Sequence, residues 1–219
     1  MGDTKRGIFD SFTLKMIAII TMLIDHIGYT CIPMGTSQYT VFRAIGRIAF
    51  PIFCFLIVEG FYHTRSHLNY LIRLAIFAIL SEIPFDLAFR HTMFDWGSQN
   101  VFFTLMLGLL SLFCLEEINN RRVFVIPLVL IWAGAYFIQC DYGLGGVLLI
   151  DMFYHARKTP IIRAILAALL LYLFFGKFEL WGLIAIPLIM LYNGKKGPSI
   201  KMLFYWFYPV HLMILYLIN

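Results

Sequence analysis

Charge is what this sequence has least of: Asp, Glu, Lys and Arg together make up 13% of its 219 residues, against 61% hydrophobic, where a soluble domain carries about 25% charged residues. With a mean hydropathy of +0.84, this scarcity excludes a water-soluble globular class and makes lipid the solvent of most of the surface. Acids are fewer than bases, 12 against 17. The bases sit singly or in pairs at the ends of apolar runs and form no patch, which excludes a nucleic-acid interface. Cysteine is also sparse. Cys31, Cys54, Cys114 and Cys140 have no metal-ligand or redox spacing and read as packing residues. Cys31 and Cys140 fall on the same expected side, where a disulfide is open to them but nothing requires one. No A-x-A-like cleavage site follows the first apolar run, 14–33, so that run reads as a retained helix and not as a signal peptide.

Long apolar runs are what remains. At about 20 residues per crossing, the chain supplies some nine or ten crossings with short loops and has no room for a soluble domain, so 1–219 reads as one integral membrane domain. Helices are expected near 14–33, 41–61, 69–89, 100–116, 123–138, 143–155, 161–175, 178–192 and 201–218, an all-α polytopic bundle of about nine transmembrane helices. The runs 143–155 and 178–192 are short for a full span and also fit re-entrant or tilted segments.

Charge tests that count. The N-terminal tail and even-numbered loops, with adjoining helix ends, hold Lys5, Arg6, Lys15, Arg65, Arg73, Arg121, Arg122, Arg157, Lys158, Arg163, Lys195, Lys196 and Lys201, whereas the odd-numbered loops hold Arg90 and Lys177. By the positive-inside rule the N-terminus is expected in the cytoplasm and the C-terminus outside, in a multi-pass protein of the cell membrane. Removing one short helix from the count would put Lys195, Lys196 and Lys201 on the wrong side.

Arg43 and Arg47 break this pattern, because they fall at the outer end of the second helix. Spaced i and i+4 with Gly46 beside them, they share one helix face and require anions. Asp25 on the first helix, and Glu82 with Asp86 on the third, are the available protein partners. His26 lies 12 residues beyond Leu14, about 18 Å into a core about 30 Å thick. Asn100, Asp141, Glu179 and His211 also fall at mid-depth or toward the outer ends of their helices, which suggests one polar chamber opening outward. Ionisable residues inside a membrane mark a functional site by default, although a structural ion-pair network would present the same residues.

Within that chamber His26 is the candidate general base, with Asp25 or another carboxylate to tune it, and His211 in FYPVHL is the second candidate. On the cytoplasmic side Glu59 and His63 share a face, followed by Arg65, His67 and Arg73. That cluster suits an anionic cofactor or a solvated loop equally.

At these residues the chain resembles the TraX family, whose members include the pilin acetyltransferase of conjugative plasmids. The stretches that carry the likeness are LKMIAIITMLIDHIG at 14–28, FRAIGRIAFPIFCFLIVEGF at 42–61 with His63, Thr64 and Arg65 after it, YLIRL at 70–74, the triplet Pro84, Phe85 and Asp86, the run 100–108, and FYPVHL at 207–212. The family is similar to a broader set of membrane acyltransferases with Arg, ten residues, then His on the first helix. Here Lys15 and His26 have that spacing, and Lys keeps the charge without the bidentate fork.

The resemblance implies an acetyl-CoA donor arriving from the cytoplasm and an acceptor reached from the opposite side. It makes His26 the base, with Asp25 and His211 beside it. Lys15, Arg43, Arg47, His63 and Arg65 become the donor-binding candidates, and Glu82, Asp86 and Asn100 those for the acceptor. Arg43, Arg47 or Asn100 would supply donors to a developing oxyanion. Two other classes compete: a small proton-coupled transporter, against which stands the lack of an internal repeat or of matched broken helices, and a structural partner in envelope assembly.

Overall fold

The computed structural model describes residues 7–118, 122–198 and 200–219, and the side chains of Arg122 and Lys201 are not among those described. Lys5, Arg6 and Arg121 therefore lie outside the described residues. Ten α-helices follow one another: α1 (Ser11–Cys31), α2 (Ser37–Gly46), α3 (Ala49–His63), α4 (His67–Arg90), α5 (Val101–Ile118), α6 (Val125–Phe137), α7 (Gly143–His155), α8 (Pro160–Phe175), α9 (Ala185–Met190) and α10 (Lys201–Ile218). A 3-10 run, Lys177–Ile184, leads directly into α9. Among the described residues there are no strands, only isolated bridges at Phe9–Tyr192 and Gln99–Cys140.

With α2 and α3 read as one broken segment, and the 3-10 run joined to α9, nine segments result among the described residues, in the same order as the nine expected. Among the described residues three stretches are long and apolar enough to cross a membrane: Ser11–Cys31, Ser37–His63 and Val101–Ile118. Large apolar side chains also face outward all round the bundle, among them Ile79, Ile126, Ile161 and Leu217, an exterior suited to hydrocarbon.

The break between α2 and α3 has a local cause. Pro51 lacks an amide hydrogen, and its ring opposes the carbonyl four residues earlier, that of Arg47. The chain answers with two tight turns, Arg47 N to Ala44 O at 3.3 Å and Ile48 N to Ile45 O at 3.2 Å. Gly182 of the 3-10 run then packs close to the Arg47 carbonyl, where an added Cβ would stand 2.9 Å away. The expected helix at 41–61 is thus interrupted, the short run expected at 178–192 is part 3-10 and part α-helix, and the two irregular stretches meet.

Capping places the start of α1. The Asp10 side chain accepts from Thr13 N at 2.7 Å and from the Thr13 hydroxyl at 2.8 Å, as an N-cap carboxylate does. The strand-like segment before it is strapped to the loop after α9, with Phe9 N to Leu191 O at 3.0 Å, Asn193 N to Phe9 O at 2.8 Å and Ser11 N to Lys195 O at 2.9 Å.

The main apolar core runs between α1, α3, α4, α5 and α7, and a smaller one, around Leu107, Leu128, Ile131 and Val147, joins α5, α6 and α7. Asp151 of α7 crosses that second junction, accepting from Ser111 of α5 and from Trp132 Nε1 of α6 at 2.8 Å. No sequence pattern singled out this acid. All four cysteines are free, with Cys31 exposed and the other three buried.

Candidate functional site

Two cavities lie back to back in the bundle. The first, about 190 Å³, sits toward the face at which α1 ends, with Asp25, His26, Arg43, Arg47 and Asp141 on its polar side and Phe50, Phe85 and Phe89 on its apolar side. The second, about 250 Å³, sits toward the face at which α1 begins, and holds Lys15, Glu59, His63, Arg73 and Lys196 within a largely apolar wall.

His26 is fixed in the first cavity by aromatic packing and by one hydrogen bond. Phe89 meets its ring edge-on at 5.0 Å and Tyr208 at 6.0 Å. His26 Nδ1 lies 2.7 Å from His211 Nε2, and His211 Nδ1 lies 2.7 Å from the Phe207 carbonyl. That carbonyl only accepts, so His211 carries its proton on Nδ1 and presents a lone pair at Nε2. His26 must then donate from Nδ1, which leaves its own Nε2 as a free lone pair. Two neutral imidazoles in series thereby assign the tautomer that a general base needs.

Asp25, next in sequence, takes no part in that chain. Its Oδ2 accepts from Arg43 Nη1, and its Oδ1 from Arg47 Nη2 at 2.7 Å, while Arg47 Nη1 reaches Glu179 Oε1 at 2.5 Å. The partners of the arginine pair are therefore Asp25 and Glu179. The 3-10 run brings Glu179 to Arg47, so that two carboxylates face two guanidiniums, with Asp141 on the same cavity wall. Arg43 also lies 5.1 Å over the Tyr29 ring. With one of its donors described as engaged, it retains others for the cavity.

Glu82, Asp86 and Asn100 line neither cavity. Asn100 is completely buried. Its Nδ2 donates to the Ala78 carbonyl at 2.7 Å and to Glu82 Oε2 at 2.5 Å, and its Oδ1 accepts from Phe102 N at 3.0 Å. Both amide protons are committed, so Asn100 caps α5 and braces α4, with none left for an oxyanion. Asp86 accepts from Asp95 N at 2.8 Å and holds the 91–100 loop. The expected grouping of Arg43 and Arg47 with Glu82 and Asp86 thus separates, because α4 turns those acids toward α5 and the loop.

In the second cavity the Lys15 ammonium is 5.4 Å from the Phe204 ring and the Arg73 guanidinium 5.6 Å from that of Tyr70. His63 Nδ1 lies 2.8 Å from the Glu59 carbonyl, while Arg157 Nε pairs with Glu59 Oε1 at 2.9 Å. Arg65 is exposed and lines neither cavity. Arg73 enters this site with His63 and Glu59, as the expected cytoplasmic cluster has it, and Lys196 joins them although its sequence position marks only a helix end. The N-terminal strap brings the Lys196 loop beside Lys15, and no local signal announces it.

Gly46 allows the whole first site to close. A Cβ there would lie 2.1 Å from Asp25 Cβ, between two helices that cannot both yield. Gly46→Ala is expected to lower stability by about 1–3 kcal/mol, read as the unfolding midpoint in detergent. Gly134→Ala, whose Cβ would find its nearest neighbour at 4.0 Å, is expected to be neutral or to gain about 0.5–1 kcal/mol. Equal behaviour of the two variants would contradict this packing.

The family model described as TraX protein matches residues 11–219. A curated relative, the probable fimbrial assembly protein FimC, serogroup H1, of Dichelobacter nodosus, is 35% identical over 94% of this chain and 94% of its own length. An uncharacterised protein of Rickettsia prowazekii (strain Madrid E) is 33% identical over 43% of this chain and 33% of its own. No solved structure matches.

Proposed function

This chain belongs to the TraX family, and from that premise we propose that it is a membrane-embedded acyltransferase, carrying an acetyl group from cytoplasmic acetyl-CoA to an acceptor on the other side of the membrane. One observation carries the reading: a free imidazole nitrogen, His26 Nε2, stands in a cavity that shares a wall with a second, cation-rimmed cavity from the opposite face. The positive-inside rule makes the face of Lys15, Arg73 and Lys196 cytoplasmic. These cations and His63 suit the phosphates of coenzyme A, and the apolar wall beyond them suits its arm.

In the proposed step an amine or hydroxyl of the acceptor attacks the thioester carbonyl carbon, and His26 Nε2 takes the proton. Charge develops on the carbonyl oxygen within reach of the Arg43 donors. The carbon–sulfur bond then breaks. Coenzyme A leaves as the thiol, protonated from the His26 imidazolium, and the acceptor keeps the acetyl group. The name of the Dichelobacter relative supports an acceptor in fimbrial assembly. The same name favours a second reading, an assembly scaffold in which the Asp25, Arg43, Arg47 and Glu179 cluster serves only to pack helices.

Acetyl-CoA binding by the purified protein in detergent separates these. Saturable binding is expected, weakened about tenfold in Arg73→Ala, the equivalent of one charged hydrogen bond of about 1.5 kcal/mol. A folded protein that binds no acetyl-CoA would overturn the enzymatic reading and leave the scaffold.

A further inference from the structure

The two cavities share part of their lining. Four side chains belong to both, namely Met22 of α1, Phe53 of α3, Val101 of α5 and Tyr208 of α10, so they stand where the two cavities meet, as a partition. Met22 lies one helical turn before His26 on the same face, about 6 Å along the axis. Tyr208 stands edge-on to His26 at 6.0 Å and to Phe102 at 5.3 Å.

None of the four comes from a loop. Each projects from a packed helix, and Met22, Val101 and Tyr208 are buried. The aperture is therefore set by side-chain volume and rotamer, not by backbone opening. Anything that passes from the second cavity to His26 must thread this ring.

The geometry points to the Met22, Phe53, Val101 and Tyr208 partition as the filter that selects the acyl group, admitting a short linear acyl thioester and rejecting longer ones. The assignment rests on the acyltransferase reading. A thioester carbonyl drawn up to His26 leads with its acyl group, so that group is the part that crosses the partition. Beyond it lies only the smaller cavity, walled by Phe50, Phe85 and Phe89, which must also receive the acceptor. A methyl group fits past a Met, a Phe, a Val and a Tyr side by side, whereas a six-carbon chain would have to displace them at the cost of core packing. Met22 is the most yielding member, because its unbranched thioether changes rotamer cheaply.

The test compares kcat/KM for acetyl-CoA, butanoyl-CoA and hexanoyl-CoA by the protein in detergent, with water or a simple added amine taking the acyl group, read as release of free coenzyme A. Wild type is expected to favour acetyl over hexanoyl by at least tenfold. Met22→Ala and Phe53→Leu are each expected to raise the hexanoyl-to-acetyl ratio by at least tenfold, and Val101→Phe to lower it further. Ile131→Val, in the separate α5–α6–α7 core, is expected to leave the ratio where it is. Acetyl turnover with a ratio unmoved by both enlarging variants, or moved equally by Ile131→Val, would overturn the filter and spare the acyltransferase. Wild-type protein that releases no coenzyme A from any of the three would overturn both.

Discussion

Replacing His26 by alanine is expected to leave acetyl-CoA binding intact while lowering turnover by about 10²–10⁴-fold, the contribution of a positioned general base, or about 3–5 kcal/mol of barrier. Binding survives because His26 lines the first cavity and not the second. In the proposed step His211 would act through His26, as a positioning residue: it accepts the hydrogen bond from His26 Nδ1 and so keeps Nε2 free. His211→Gln retains a carbonyl oxygen able to accept that proton and is expected to keep more activity than His211→Leu. In the leucine variant nothing fixes the His26 tautomer, and both rate and pH profile should change. The measurement is acetyl-CoA turnover across pH for the four proteins. Full activity in His26→Ala would remove the general base from the mechanism, and identical profiles for the two His211 variants would remove the relay.

Replacing Arg47 by methionine is expected to be the most damaging substitution for stability. Arg47 joins α2 to α1 through Asp25 and to the 3-10 run before α9 through Glu179, and all three side chains are nearly inaccessible. Removing the shared cation leaves Glu179 as a buried carboxylate without this partner and Asp25 with Arg43 alone. Breaking such a pair from one side costs about 3–5 kcal/mol. Pairing the change with Glu179→Gln removes the orphaned charge and is expected to recover much of that loss. Arg47→Lys keeps the charge but cannot serve both acids through one planar fork, and should fall between. Unfolding midpoints in detergent order the variants. If Arg47→Met is as stable as wild type, the cluster contributes no net stabilisation and its four charges are free for a functional account.

Much of this arrangement was legible in the chain. The positions of nine apolar segments follow from hydrophobic runs that local composition alone defines, and the structure keeps their order. His26, Asp25 and the arginine pair stand out because an ionisable group in an apolar run is costly, so each had to have a reason. Their partners were legible only in part: Asp25 stood among the acids open to Arg43 and Arg47, whereas nothing along the chain pointed Glu179 to Arg47 or His211 to His26. Asp25 is adjacent to His26 yet turns to Arg43 and Arg47, since residues i and i+1 on a helix project about 100° apart. Glu82 and Asp86 share a face with each other, but which helix that face meets depends on how α4 packs.

Sequence by itself determined the class of this protein, an all-helical bundle with an apolar exterior, and the residues that chemistry can use, because hydropathy and helical period are properties of neighbours along the chain. Tertiary structure alone decided the pairing of His26 with His211 across 185 positions, the reach of Glu179 to Arg47 across 132, and the split of the polar residues into two cavities with a partition between them. Those outcomes depend on the azimuth at which each helix packs and on two irregular stretches, at Arg47 and at Lys177–Ile184. A pattern read one helix at a time contains neither.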